Sequence, residues 1–228
     1  MSDAPQVRST VDDTVDPWDG DPRLAAFFGD AWSAVERFHR YLVEEGELRG
    51  LVGPREVSRL WERHLLNSAA VVPLLPETGT VVDVGSGAGL PGIVMAAMRP
   101  SAEFVLVEPM ERRVAWLHDV IDRTGVGNVE VRRARAQELD GVIEADVVTA
   151  RAVASLDKLF RWTAPLVGPG GQILAMKGAR AAEELDAARK VMRSLGLSQG
   201  YVHEVTTIDG AESTRVVSAV REGAARVR

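Results

Sequence analysis

The chain has 228 residues, 46% hydrophobic and 26% charged, which suits one α/β domain with a small extension and a proper hydrophobic core. It has no cysteine, which excludes disulfides, thiolate zinc sites and cysteine nucleophiles, and His39, His64, His118 and His203 show no metal-ligand spacing. The net charge of −6 is uneven: residues 1–21 hold six Asp against Arg8, a net of −5, which leaves 27 acids and 26 bases, a net of −1, in the rest. An acidic segment thus masks a near-neutral body with arginine clusters at 112–113 and 132–135 and at Arg226 and Arg228, so an RNA partner is permitted but not indicated.

Residues 1–21 are polar, acidic and without periodicity, and are expected to be a disordered tail. They lack the basic and apolar regions of a signal peptide, and no apolar run approaches the ~18 residues of a membrane span. A cytoplasmic protein with no membrane partner and no metal is expected. Asp21-Pro22 then offers an N-cap and an N1 proline, and Leu24, Phe27, Phe28, Ala31, Val35, Phe38 and Leu42 predict one amphipathic helix of about six turns. After a glycine-rich loop, Val57, Leu60, Trp61 and Leu65 predict a second helix, so residues 22–78 read as an N-terminal helical cap.

From residue 80 strands alternate with helices. Thr80–Val84, Glu103–Val107, Val129–Arg132, Ala145–Ala150 and Gln172–Met176 are strand candidates, with helices near 90–98, 110–124, 155–165 and 181–195. Tyr201–Ile208 and Thr214–Val220 have no helix between them and must pair as a hairpin, adding an antiparallel edge. Five parallel strands with such a hairpin form the Rossmann-like α/β arrangement of class I S-adenosylmethionine (AdoMet)-dependent methyltransferases. That domain is placed at residues 79–222, followed by a basic tail at 223–228.

The loop VVDVGSGAGLPG at residues 81–92 fits two ligands. Gly87 to Gly92 matches the dinucleotide pattern G-x-G-x-x-G, but the strand gives way at Gly85, two residues earlier, and Pro91 removes an amide that a phosphate would want. Asp83, at the strand's carboxyl end, disfavours a pyrophosphate and suits the cationic AdoMet, whose methionine part the glycines at 85, 87 and 89 would let the backbone approach. Glu108, about 20 residues past the loop, is placed to hold ribose hydroxyls. Gln137 or the Ala136 N–H is placed to read adenine, with a solvated turn as the alternative.

The fourth strand ends Val148-Thr149-Ala150-Arg151-Ala152, without the Asn/Asp-Pro-Pro-Tyr/Phe cluster of exocyclic-amine methylation. Methylation at C5 of a pyrimidine requires a cysteine, which is absent. The target is therefore an atom that is already nucleophilic. His64, Arg151 and Lys177 are the candidates for positioning substrate; His64 reads equally as a packed histidine and Lys177 as an exposed lysine.

Four blocks resemble the RsmG family, also called GidB: Arg63-His64-Leu65-Leu66-Asn67-Ser68, Asp83 to Gly92, Arg151-Ala152-Val153-Ala154-Ser155-Leu156 and Met176-Lys177-Gly178. They occur in family order across residues ~54–178. The resemblance implies AdoMet-dependent methylation of guanine N7 in the decoding-region loop of 16S ribosomal RNA, within the small subunit or its precursor. It also implies cofactor contacts at Gly85, Leu90, Ala136, Gln137 and Arg151. The family's Trp-Asn…Asn-Leu-Thr stretch is replaced here by Leu48-Arg49-Gly50-Leu51-Val52-Gly53. A methyltransferase of small molecules, sharing the cofactor half, is the alternative.

Overall fold

The computed structural model describes residues 15–151 and 153–223. Of the tail expected over 1–21, residues 1–14 lie outside the described residues, as do the basic residues 224–228, whereas residues 15–21 include the buried Asp16 and Trp18. Asp16 is buried, and its two carboxylate oxygens accept the Trp18 and Trp61 amides at 3.0 and 2.9 Å. Asp19 accepts the Trp61 indole N–H at 2.8 Å. Burial pushes the Asp16 carboxyl up from its ordinary range, against the pull of those two amides. Residues 16–19 are thus a clasp on the cap.

The predicted long first helix is two helices. Asp21 caps α1 (Pro22–Phe28), its carboxylate accepting the Arg23 amide at 2.9 Å. Gly29 takes φ +52°, a conformation that glycine alone adopts at little cost, and ends the helix. After one tight turn the apolar stripe resumes in α2 (Trp32–Glu45), so Leu24, Phe28, Val35, Phe38 and Leu42 still share one core. The second predicted helix, α3, is a tight turn at Val57–Arg59, a wide-turn segment at Trp61–Leu66 and a final turn at Asn67–Ala69. Trp61 stacks between Trp32 and His39, with centroids 5.5 and 4.3 Å away.

Seven strands form one sheet in the order β3-β2-β1-β4-β5-β7-β6. β1 (Gly79–Val84), β2 (Ala102–Val107), β3 (Val129–Arg132), β4 (Ala145–Arg151) and β5 (Val167–Lys177) run parallel. β6 (Tyr201–Val205) and β7 (Thr214–Val220) form the expected hairpin, and β7 lies antiparallel between β5 and β6. Alternate strand residues serve opposite faces. Val81, Phe104, Leu106 and Val147 join the core made with the cap, α4 (Gly92–Met98) and α5 (Glu111–Thr124). Val82, Val105, Val148 and Ile173 join the core made with α6 (Leu156–Thr163) and α7 (Ala181–Ser194).

Because β2 and β4 flank β1 with connections that leave in opposite directions, the strand order switches at β1. In open α/β sheets this switch opens a crevice at the strands' carboxyl ends. Gly85 follows β1, Glu108 follows β2 and Arg151 ends β4, all three at that crevice.

Candidate functional site

Two cavities occupy the crevice and meet at Gly85 and Arg151. The larger, of 610 Å³, is lined by Glu108, Met110, Ala136, Gln137, Val153 and Trp162 among others. The smaller, of 350 Å³, lies under the cap between the glycine loop (Gly85 to Ala88, with Leu90) and Glu56 and His64. The first has the size of a small-molecule site.

The loop between them is held from behind. Gly85 turns at φ +72°, and its amide and that of Ser86 donate to Val107 O at 2.8 and 3.2 Å. A side chain at Gly85 would press on Val153, 3.0 Å from the place of its Cβ, so glycine also keeps the passage open. The Trp116 indole donates to Ala88 O at 2.9 Å, so this buried tryptophan braces the loop.

Glu108 is 2% exposed yet lines the larger cavity. One of its oxygens accepts the Gly87 amide at 3.0 Å and the other the Met110 amide at 3.0 Å, with Arg113 Nη1 at 3.7 Å. The carboxylate is therefore fixed where lone pairs can accept hydroxyl protons from a ligand. Ala136 and Gln137 follow Arg135 on the same wall.

Asp83 is placed differently from the expectation of ligand contact: it is fully buried and lines neither cavity. Its Oδ2 accepts the Gly92 amide at 3.1 Å and its Oδ1 the Thr149 hydroxyl at 3.3 Å, tying β1 to the start of α4 and to β4. Burial pushes its carboxyl up to about 6, against those hydrogen bonds and the Arg151 charge. Lys177 also lines neither cavity. Its ammonium donates to Ala154 O at 2.9 Å and pairs with Glu184 at 2.7 Å, while Glu184 also accepts the Leu156 amide at the start of α6. It braces the site's floor.

Arg151 and His64 come together. Arg151 Nη1 donates to Arg63 O at 3.2 Å and reaches Asn67 Oδ1 at 3.5 Å, and its Nη2 is 3.1 Å from His64 Nδ1. Burial pulls the guanidinium down to about 10, against the attraction of Asp83 and Glu56, so it stays charged. His64 Nε2 is 2.9 Å from Glu56 Oε2. Burial, and then the Arg151 charge, lower the His64 pKa below its ordinary value. Of the arginine run, Arg132 pairs with Glu130 at 2.7 Å and Arg133 with Glu111 at 3.0 Å, while Arg135 lines the larger cavity.

Glu56, Met110, Val153 and Trp162 are site residues that sequence reasoning missed. Met110 carried the one usable signal, its position two residues beyond Glu108 at the same strand end.

The model of the family described as GidB, rRNA small subunit methyltransferase G, matches residues 32–212. The chain belongs to the GidB family. Its relatives include the ribosomal RNA small subunit methyltransferase G of Beutenbergia cavernae, 53% identical over 189 residues that cover 83% of this chain and 89% of that protein. The Bifidobacterium longum protein of the same name is 45% identical over 217 residues, 89% of this chain and 97% of that one. Among solved structures, a SAM-dependent O-methyltransferase from Thermotoga maritima superposes with a TM-score of 0.56 at 15% identity, covering 76% of this chain and 72% of that one. This GidB chain thus has the class I AdoMet-dependent methyltransferase fold and is a methyltransferase of that family. Among the described residues no three His, Asp or Glu side chains gather as a metal site, and no helix is long and apolar enough to cross a membrane.

Proposed function

We propose that the chain transfers a methyl group from AdoMet to N7 of a guanine in 16S ribosomal RNA, within the small subunit or its precursor in the cytoplasm. The observation that carries the base-free part of this reading is the state of His64. It is the one imidazole lining either cavity, and both its nitrogens are engaged, one with Glu56 and the other with Arg151. It is not free to take a proton from a substrate. Guanine N7 carries an in-plane lone pair and no proton at neutral pH, so it needs no such base.

The larger cavity fits the nucleoside of AdoMet: Glu108 has oxygens at its wall for ribose hydroxyls, and Ala136 and Gln137 offer an amide and a carboxamide to adenine. Gly85, Gly87 and Leu90 line the smaller cavity, where the methionine part would lie against the glycine loop. AdoMet supplies an electrophilic methyl on a sulfonium. The protein aligns the acceptor with it, and Arg151, at the junction of the cavities, holds a carboxylate, a phosphate or the guanine O6. The target guanine must be unstacked, because N7 is hidden in the deep groove of A-form RNA. Asp83 and Lys177 support this site from behind and from below.

The names of the GidB relatives favour ribosomal RNA over a small molecule. Unmodified small subunits incubated with enzyme and AdoMet, then cleaved by borohydride and aniline, should break at one guanine in the decoding-region loop. Methylation of free metabolites without any such cleavage would favour the small-molecule reading.

A further inference from the structure

Glu56, His64 and Arg151 form a chain of side chains that runs from the cap to the carboxyl end of β4. Arg151 Nη2 is 3.1 Å from His64 Nδ1. A guanidinium only donates, so Nδ1 must present its lone pair. The single proton of the neutral ring then sits on Nε2, 2.9 Å from Glu56 Oε2, which accepts it. Glu56 is itself oriented by Arg63, whose Nη1 lies 3.6 Å from its other oxygen. The other contacts of Arg151, with Arg63 O and Asn67 Oδ1, are made through Nη1 alone. His64 is therefore what fixes Nη2.

We infer that Glu56 is a positioning residue for methyl transfer. It holds the His64 proton on Nε2, so that Nδ1 remains the acceptor that aims Arg151 into the junction of the two cavities. Without Glu56 the ring can place its proton on Nδ1. That hydrogen then points at the guanidinium, and Nη2 loses its partner and swings. A ligating or charged group is commonly held to one orientation by such an outer hydrogen bond. The inference rests on the reading of Arg151 as a contact of cofactor or substrate.

The test compares Glu56→Ala with Glu56→Gln, whose carboxamide oxygen can accept the same N–H. With histidine nitrogens labelled, NMR should report the Nε2–H tautomer of His64 in the wild type and in E56Q, and a mixture in E56A. In E56A kcat/KM on small subunits should fall about tenfold at an unchanged melting temperature, whereas E56Q should stay within about threefold of wild type. Wild-type turnover in E56A, an unchanged tautomer in E56A, or E56Q as impaired as E56A would each overturn the inference. The NMR signature does not depend on catalysis. If the tautomers behave as expected while Arg151→Ala transfers methyl normally, the fault lies in the reading of Arg151, and the positioning role falls with it.

Discussion

Arg151 Nη2 sits 3.1 Å from His64 Nδ1, joining the carboxyl end of a central strand to the cap helix across the mouth of the crevice. The two residues lie 87 positions apart, and their contact ties the cap's position to the site.

Replacing Arg151 by alanine should cut methyl transfer by about a hundredfold or more, because it removes a half-buried cation at the junction of both cavities. The variant should remain folded, since the guanidinium is itself disfavoured by burial, its pKa pulled down to about 10. Turnover, AdoMet binding and thermal melting measured together check this. Wild-type turnover with unaltered AdoMet binding would remove Arg151 from the site.

The rate of transfer should be flat across neutral pH and fall only below the ordinary histidine value of 6.5. The His64 pKa is lowered by burial first and by the Arg151 charge second, with Glu56 opposing. The ring is therefore neutral at neutrality, and gains a proton only in more acid solution, where it would repel Arg151. A single-turnover rate that rises through a pKa between 7 and 8 would point instead to a general base.

Asp83 has a folded-state pKa of about 6 against an ordinary value of 3.8. A group raised in this way adds stability below its unfolded pKa, and that contribution is lost as pH rises through the folded value. Asp83→Asn removes the dependence and can keep the hydrogen bonds to Gly92 and Thr149. The melting temperature of the variant relative to wild type should therefore climb between pH 4 and pH 7, reflecting at most about 3 kcal/mol. A constant difference would mean that Asp83 does not titrate in that range.

Gly92→Ala should destabilise the protein by roughly 2 kcal/mol or more, since the added methyl group would collide with Leu106 Cδ2 and lie 2.8 Å from Asp83 Oδ2. Gly127 has open space around the same position and a backbone that other residues accept, so Gly127→Ala serves as the neutral control. Equal melting temperatures for the two variants would contradict the packing described.

Asp16→Ala should cost about 1–2 kcal/mol, as two amides lose a buried acceptor, and Asp16→Asn should restore part of it. Chemical denaturation of the three proteins would decide. An alanine variant as stable as wild type would mean that these two hydrogen bonds do not hold residues 16–19 on the cap.

The central strands were legible from the sequence because burial makes them short apolar runs, as in Gly79–Val84 and Ala102–Val107; Val129–Arg132 and Thr214–Val220, which are more polar, also have the predicted ends. The first helix was misread as continuous because a hydrophobic stripe carries no record of backbone dihedrals, and Gly29 breaks the helix without breaking the stripe. Asp16 and Trp18 were read as solvated for the company they keep; Asp16 is instead held by the Trp61 amide, 45 residues away. At the site, Gly85, Glu108 and Arg151 come together at the crevice because parallel topology brings strand ends together. It says nothing of which way a side chain at that end turns, so Asp83, expected at the cofactor, and Lys177, expected at substrate or equally in solvent, both line neither cavity. Glu56 left no trace, since residues eight apart in a regular helix stand about 12 Å apart along its axis, and their contact here uses irregular turns.

The place of β7 bears on how the molecule comes to be made. The strand that fills the gap between β5 and β6 is the last one described, so during synthesis the edge of β5 stays open after every other strand has emerged. Until residues 214–220 arrive, β5 and β6 have no common partner, and the apolar surface later covered by Val217 and Ala219 faces solvent. A chain stopped at residue 213 would carry an unpaired central edge, the kind of template on which other chains add strands.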